Sequence, residues 1–239
     1  MEIAKQDTKA TEKLGYGMLL ASIGGVMDMY TYTVRGKVFA TGQTGNFVLA
    51  AVRLAEQDYI GMIHALVPII AFWLGIFAAW HIFYSYCKDK QLIWQRIILI
   101  TALFILFITG LIPLSYPDII ADSLVAFAAS LQYCAFRKFG EGNNYASIFC
   151  SGNMRSCAEN YYKGIVQKDK QSLKRALKYT CILLSFFTGA VLGTIMSFIF
   201  HEKSIWIVLI LISAAFVISY DFNEDIFKIL FLLKSPKRQ

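Results

Sequence analysis

GGVMDMYTYTVRGKVFATGQTGNFVLAAV, residues Gly24 to Val52, is the stretch on which the reading of the fold turns. It starts inside an apolar run and carries one acid, Asp28, at membrane depth. It then breaks into the polar cluster Thr41-Gly42-Gln43-Thr44-Gly45-Asn46 and resumes as an apolar helix. Irregular backbone inside a bilayer is tolerated only where protein or a water-filled cavity covers it. The pattern therefore reads as a broken or re-entrant helix packed inside a membrane protein. An altered version returns in the second half: Gln132 in an apolar run, Arg137 and Lys138, then Cys150-Ser151-Gly152-Asn153 opening a helical stretch.

Working outward, six runs are long enough to cross a bilayer, which takes about 20 apolar residues. They are 14–34, 61–86, 97–114, 119–136, 177–200 and 204–220. The segments 38–52 and 145–160 are short and polar and read as half-helices instead of two further crossings. Residues 1–13 form a polar N-terminal tail, 14–220 one six-span membrane domain, and 221–239 a C-terminal tail. The apolar IFKILFLL at 226–233 reads as an interfacial helix lying on the membrane. The first run lacks a small-residue cleavage site and reads as a retained span.

Composition agrees. The 239 residues are 57% hydrophobic and only 16% charged, against about 25% charged for a soluble domain. The net charge of +7 does not point to nucleic acid, because the basic residues sit in the connections between apolar runs. With the N-terminus inside and six spans, 19 of the 23 Lys and Arg residues fall on the inner side, nine of them between Arg137 and Lys178. Only Arg35, Lys37, Arg53 and Lys203 fall outside. That bias places both termini in the cytoplasm. The five cysteines form no CxxC pair and read as small buried hydrophobes. The three histidines show no HxxxH spacing, so neither a metal nor another cofactor is expected.

The two halves align. Thr44-Gly45-Asn46 matches Ser151-Gly152-Asn153. Phe72-Trp73-Leu74-Gly75 with Ala79 matches Phe186-Phe187-Thr188-Gly189 with Gly193, and Asp28 lies near the place of Gln132. Repeat one covers 14–114 and repeat two 118–220. An odd number of spans per repeat inverts the second against the first, as in many secondary transporters. The expected fold is thus an all-α integral membrane protein of six transmembrane helices, built as two inverted three-helix repeats.

These residues resemble the YoaK family, bacterial six-span inner-membrane proteins that carry a domain-of-unknown-function label. The resemblance rests on Gly25-Val26-Met27-Asp28, Thr44-Gly45-Asn46, Leu131-Gln132, Phe136-Arg137-Lys138 and Ser151-Gly152-Asn153, and covers about Leu14 to Tyr220. Ser151 stands where the family has Thr, and Tyr133 where it often has Asn. The resemblance implies a multi-pass architecture in the bacterial cytoplasmic membrane and no established activity.

Function is argued from the polar residues. A hydroxyl and an Asn beside Gly are helix-start chemistry. Two helix starts converging from inverted halves would aim their positive ends at an anionic or polar solute. Equally, each is a capped loop that fills space. A carboxylate inside a span costs a few kcal/mol, so Asp28 either couples a proton or cation or pairs with Arg137 or Arg35. Gln43, Gln132 and Asn153 are ligand contacts or interhelical hydrogen bonds. The candidate substrate- or ion-binding residues are therefore Asp28, Gln43, Thr44, Asn46, Gln132, Arg137, Ser151 and Asn153. Gly75, Gly189 and Gly193 read as close helix packing. No GxSxG, HExxH or paired-Asp arrangement falls in the spans, so the chain is not read as an enzyme. The expected function is a small secondary transporter for a small polar or anionic metabolite, with lipid, an unidentified solute and a second copy of the chain as partners. The alternative is a non-transporting assembly partner or sensor. For orientation, a reporter that fluoresces only in the cytoplasm is expected to be bright when fused to the C-terminus; a dark fusion with an active periplasmic reporter would overturn it.

Overall fold

The computed structural model describes residues 10–88, 90–140 and 143–220. Most of the expected N-terminal tail and all of the C-terminal one, with its expected interfacial helix, lie outside the described residues. A 3-10 turn, Ala10–Glu12, leads into the first helix.

In chain order the elements are α1 (Leu14–Thr33), α2 (Gln43–Ala55), α3 (Tyr59–Tyr86), α4 (Gln91–Thr109) and α5 (Asp118–Ala135). A small antiparallel hairpin follows, β1 (Lys138–Phe139) with β2 (Asn143–Asn144), pairing Lys138 with Asn144. Then come α6 (Ser151–Val166), α7 (Lys170–Phe200), a 3-10 turn His201–Ile205, and α8 (Trp206–Ile218). Among the described residues the protein is all-α apart from the hairpin.

Four stretches are long and apolar enough to cross a membrane: α3, α4, α5 and the run Lys170–Ile218 that contains α7 and α8. This fits a membrane protein. It also departs from six separate runs at two places. α1 is not among the four, and 12 of its 20 residues are buried against protein. A helix enclosed by other helices needs less apolar surface than one that faces lipid. α8 has 13 residues, about 20 Å at 1.5 Å per residue, less than the ~30 Å hydrocarbon core. His201 has φ 49° and ψ −124°, which ends α7 before the chain turns into α8. In place of the expected half-helix over 145–160, the helix runs Ser151–Val166. The polar region 137–178 holds the hairpin, the 16-residue α6 and the first turns of α7.

The packing follows a swapped order. α1 lies along α7 and touches α8, while α5 lies along α3 and touches α4. The short helices α2 and α6 rest on α3 and α7. α1 and α5 meet in the middle, where Leu20, Ile23 and Met27 join Val125, Ala129 and Leu131 in one core. Aromatic and aliphatic residues such as Trp73, Phe77, Phe187 and Phe198 point outward.

Local chemistry sets the joints between short and long helices. Gln57 (φ 62°) and Lys168 (φ 57°) both take the left-handed conformation that ends α2 and α6. Each is followed by an Asp that caps the next helix: Asp58 accepts from the Gly61 amide at 2.9 Å, and Asp169 accepts from the Gln171 amide at 2.9 Å. The Ser172 hydroxyl and the Gln171 amide hold the Asp169 carboxyl below the ordinary carboxylate range.

Two glycines permit the close approach of the long helices. A Cβ at Gly189 would lie 2.7 Å from the Ser22 Cα on α1, and one at Gly75 would lie 2.7 Å from the Phe127 carbonyl on α5. Both neighbours are backbone and cannot swing aside. Helices in lipid gain little from the hydrophobic effect, so this contact area is what holds them together. Gly189→Leu and Gly75→Leu are each expected to cost about 3 kcal/mol or more. Gly15→Ala, with open space around it, should leave the thermal unfolding midpoint in detergent unchanged.

Candidate functional site

The chain leaves α1 at Thr33 and does not re-enter a helix until Gln43. Within this break the amides of Val34 and Lys37 still bond carbonyls of α1, and side chains supply most of the other bonds. Asp28, on the last full turns of α1, accepts from the Thr41 amide at 2.7 Å and from the Thr41 hydroxyl at 2.6 Å. The amides of Ala40 and Gly42 face the same carboxylate. Its partner is thus the broken segment itself, and not Arg35 or Arg137. Asn46 clamps the peptide of Phe39: its Oδ1 accepts from the Phe39 amide at 2.8 Å and its Nδ2 donates to the Phe39 carbonyl at 2.7 Å. Asn46 also donates to Gln43 Oε1 at 2.9 Å, while Gln43 donates to the Ala40 carbonyl at 2.8 Å.

The second break repeats the clamp. Asn153 Oδ1 accepts from the Ala146 amide at 3.1 Å, and its Nδ2 donates to the carbonyls of Ala146 at 2.8 Å and Phe149 at 2.7 Å. In both cases the amide side chain reaches back seven residues. Asn suits this because it offers a donor and an acceptor side by side, as a peptide does. The helix-start reading is corrected in one respect. Gly42 and Cys150 are the capping residues of α2 and α6, and neither start has a side-chain cap. The Asn residues satisfy the loop before each helix, not the helix's own amides.

The two breaks meet at α1. The Cα of Ile148 lies 3.0 Å from where a Cβ on Gly24 would sit, and Cys150 lies within electrostatic reach of Asp28. Phe72, Tyr133 and Phe149 pack ring against ring beside them, at centroid distances of 4.9 to 6.2 Å. Gln132 ties α5 to α1 by donating to the Leu20 carbonyl at 2.9 Å. The fold therefore gathers Asp28, Gln43, Asn46, Gln132 and Asn153 around the buried middle of α1. It leaves Thr44, Ser151 and Arg137 exposed.

One group of polar residues escaped the sequence reading. Arg35, just past α1, donates through Nε to the Tyr30 hydroxyl at 2.8 Å and through Nη2 to the Ile112 carbonyl at 2.7 Å. Its Nη1 lies 3.7 Å from Asp118 Oδ1. Asp122, fully buried on α5, accepts from the Gly36 amide at 3.1 Å. The available signal was two acids spaced i, i+4 at the start of one apolar run and an Arg at the end of another. At the opposite end of α1 the contacts are aromatic: Tyr16 packs on Phe136, and Phe139 on Tyr145 and Tyr179. A recess of about 250 Å³ is lined by Thr33, Val34, Leu114, Ser197, Phe198 and His201. Asp28 and the two clamps do not line it.

The arrangement offers a carboxylate whose bonds all run to one short segment of chain, with a matched amide clamp in each break. Removing a clamp leaves a peptide group without partners, at about 1–3 kcal/mol for each buried donor or acceptor. Asn46→Ala and Asn153→Ala are each expected to lower stability by about 2–4 kcal/mol by this reasoning. Thr44→Ala, on the exposed side, should stay within about 0.5 kcal/mol in the same detergent unfolding assay.

No curated protein and no solved structure matches the chain. A family described as "Protein of unknown function (DUF1275)" matches residues 16–218. That match runs from the first turn of α1 to the last residue of α8 and includes both breaks and both clamps. The chain belongs to this family of proteins of unknown function, DUF1275.

Proposed function

We propose that this protein is a small secondary transporter of the bacterial cytoplasmic membrane, a permease for a small polar or anionic metabolite that uses a proton at Asp28. In this reading the family is the YoaK type, six segments cross the bilayer with both termini inside, and the halves 14–114 and 118–220 are inverted repeats. The protein has no catalytic centre in this reading, and its partners are lipid, the solute and a second copy of the chain.

The observation that carries the proposal is the bonding of Asp28. Among the described residues its carboxylate is balanced by no cation but by the amide and hydroxyl of Thr41. A proton on either oxygen weakens the acceptor that Thr41 donates to. Protonation would therefore loosen the segment 35–42 from α1 and open a path beside Gln43, Asn46, Gln132 and Asn153. The swapped packing supports the same reading. Moving the α1–α7 pair against the α3–α5 pair changes contacts between pairs and keeps those within them. Thr44, Ser151 and Arg137 would then act at the mouths of the path.

A second reading is favoured by one feature. The rings of Phe72, Tyr133 and Phe149 fill the space beside the breaks. A centre packed in this way also suits a non-transporting assembly partner or sensor. Thermal-shift measurements on the detergent-purified protein separate the two. Sugars, amino acids, nucleobases, organic acids and cationic drugs would be screened at mildly acidic and at neutral pH. A solute at about 100 times its dissociation constant stabilises by about 2.7 kcal/mol. The transporter reading expects one class to do so with a clear pH dependence that Asp28→Asn abolishes. Silence across all classes would overturn it in favour of the second reading.

A further inference from the structure

We propose that the buried cluster at the end of α1 and the start of α5 is a proton-binding site, with Asp122 as the group that holds the proton. The inference concerns a different carboxylate from Asp28. It stands whether or not the chain moves a solute.

The cluster contains one cation and two carboxylates. Arg35 is ion-paired with Asp118, whose side chain is 35% exposed. Asp122 sits one helical turn further on and has no exposure. Its Oδ2 accepts from the Gly36 amide at 3.1 Å, but its Oδ1 is buried without a hydrogen-bond partner. Arg35 shows the complementary fault: its Nη1 is buried and makes no hydrogen bond, only the longer 3.7 Å contact with Asp118. A fully ionised cluster would thus hold one surplus negative charge on an oxygen that nothing donates to. An unpaired buried charge is among the costliest features a protein can carry. A proton on Asp122 Oδ1 brings the cluster to zero charge.

The groups that face Asp122 set its behaviour. Asp118 on α5 repels its negative charge, and Arg35 attracts it. Tyr30 on α1 lies close enough to feel it, and Glu202 in the 3-10 turn before α8 faces Tyr30 in turn. The Ile112 carbonyl, in the turn after α4, accepts from Arg35. When the proton leaves Oδ1, the O–H bond breaks and the electron pair stays on Asp122. The proton goes to water. The cluster then carries one negative charge, and the Nη1 of Arg35 is drawn from Asp118 toward Asp122. Gly36 and Arg35 both belong to the segment that Asp28 holds at Thr41, so the two acids grip the same segment at its two ends.

Infrared difference spectroscopy of the purified protein in lipid tests the assignment by comparing acid and alkaline samples. The expected result is a protonated-carboxyl C=O band that vanishes on the alkaline side, is missing in Asp122→Asn and persists in Asp28→Asn. The carboxamide of Asp122→Asn keeps an oxygen for the Gly36 amide, so this variant is expected to fold. Should it not, Asp118→Asn provides the second measurement. Removing a negative neighbour and freeing Arg35 weakens proton binding at Asp122, so the midpoint of the band should move to lower pH by at least about one unit, or tenfold in proton affinity. Survival in Asp122→Asn of the same band that Asp28→Asn leaves in place, a midpoint of that band unmoved by Asp118→Asn, or no titrating carboxyl band in the unaltered protein would each overturn the proposal.

Discussion

A carboxylate within an apolar helix has to find donors, and Asp28 finds them in the peptide chain that follows its own helix. The bonds to Thr41 fold the segment after α1 back along that helix and deliver the chain to the start of α2. Without them the amide of Thr41 would lose its bond, and those of Ala40 and Gly42 the carboxylate they face. The penalty for such groups in a membrane interior is several kcal/mol each. Every other feature of the first half is arranged around this return: α2 rests on α3 because the break places it there, and α3 is capped by Asp58 as soon as α2 ends.

The second half solves the same problem with different residues. Among its described residues no carboxylate takes the place that Asp28 has in the first half. A two-residue hairpin, the Asn153 clamp and Gln132 do the bonding. The shared element is the Asn that reaches back seven residues in each half. A peptide-like side chain at that place turns a loop into a fixed platform for the helix after it. The long helices α7 and α3 then pack on α1 and α5 through glycines opposite bare backbone. Each central helix is thereby gripped by the partner half, which makes the two halves one interlocked body.

The two ends of the central pair differ in kind. At one end, Arg35, Asp118 and Asp122 join the first break to α5 through charges and hydrogen bonds. At the other, Phe139 packs on Tyr179 of α7 and Phe136 on Tyr16 of α1, so ring contacts join the second break to both helices. Charges can be added or removed by a proton, whereas aromatic packing responds mainly to shape. In a molecule built this way the buried contacts at the first end respond most directly to a proton. That asymmetry is what makes the ionic end the natural place to look for control.

Read alone, the sequence determined the class of the molecule, the positions of the helices and the places where they break. Apolar run length, the positions of basic residues and Gly-Asn signals are local quantities, and local physics is enough to interpret them. It also pointed to Asp28, Asn46 and Asn153, because a polar group in an apolar run must be satisfied somewhere. Tertiary structure alone decided by what. Asp28 bonds to Thr41, 13 residues on, and Arg35 to Asp118, which lies in the other half. Asp122 gained its place for the same reason: its burial and its bond to Gly36 depend on a chain 86 residues away. A residue's partners are set by which helices lie side by side. That is settled by the summed packing of many small surfaces, such as Gly75 on Phe127 and Gly189 on Ser22, and no single stretch of sequence contains it.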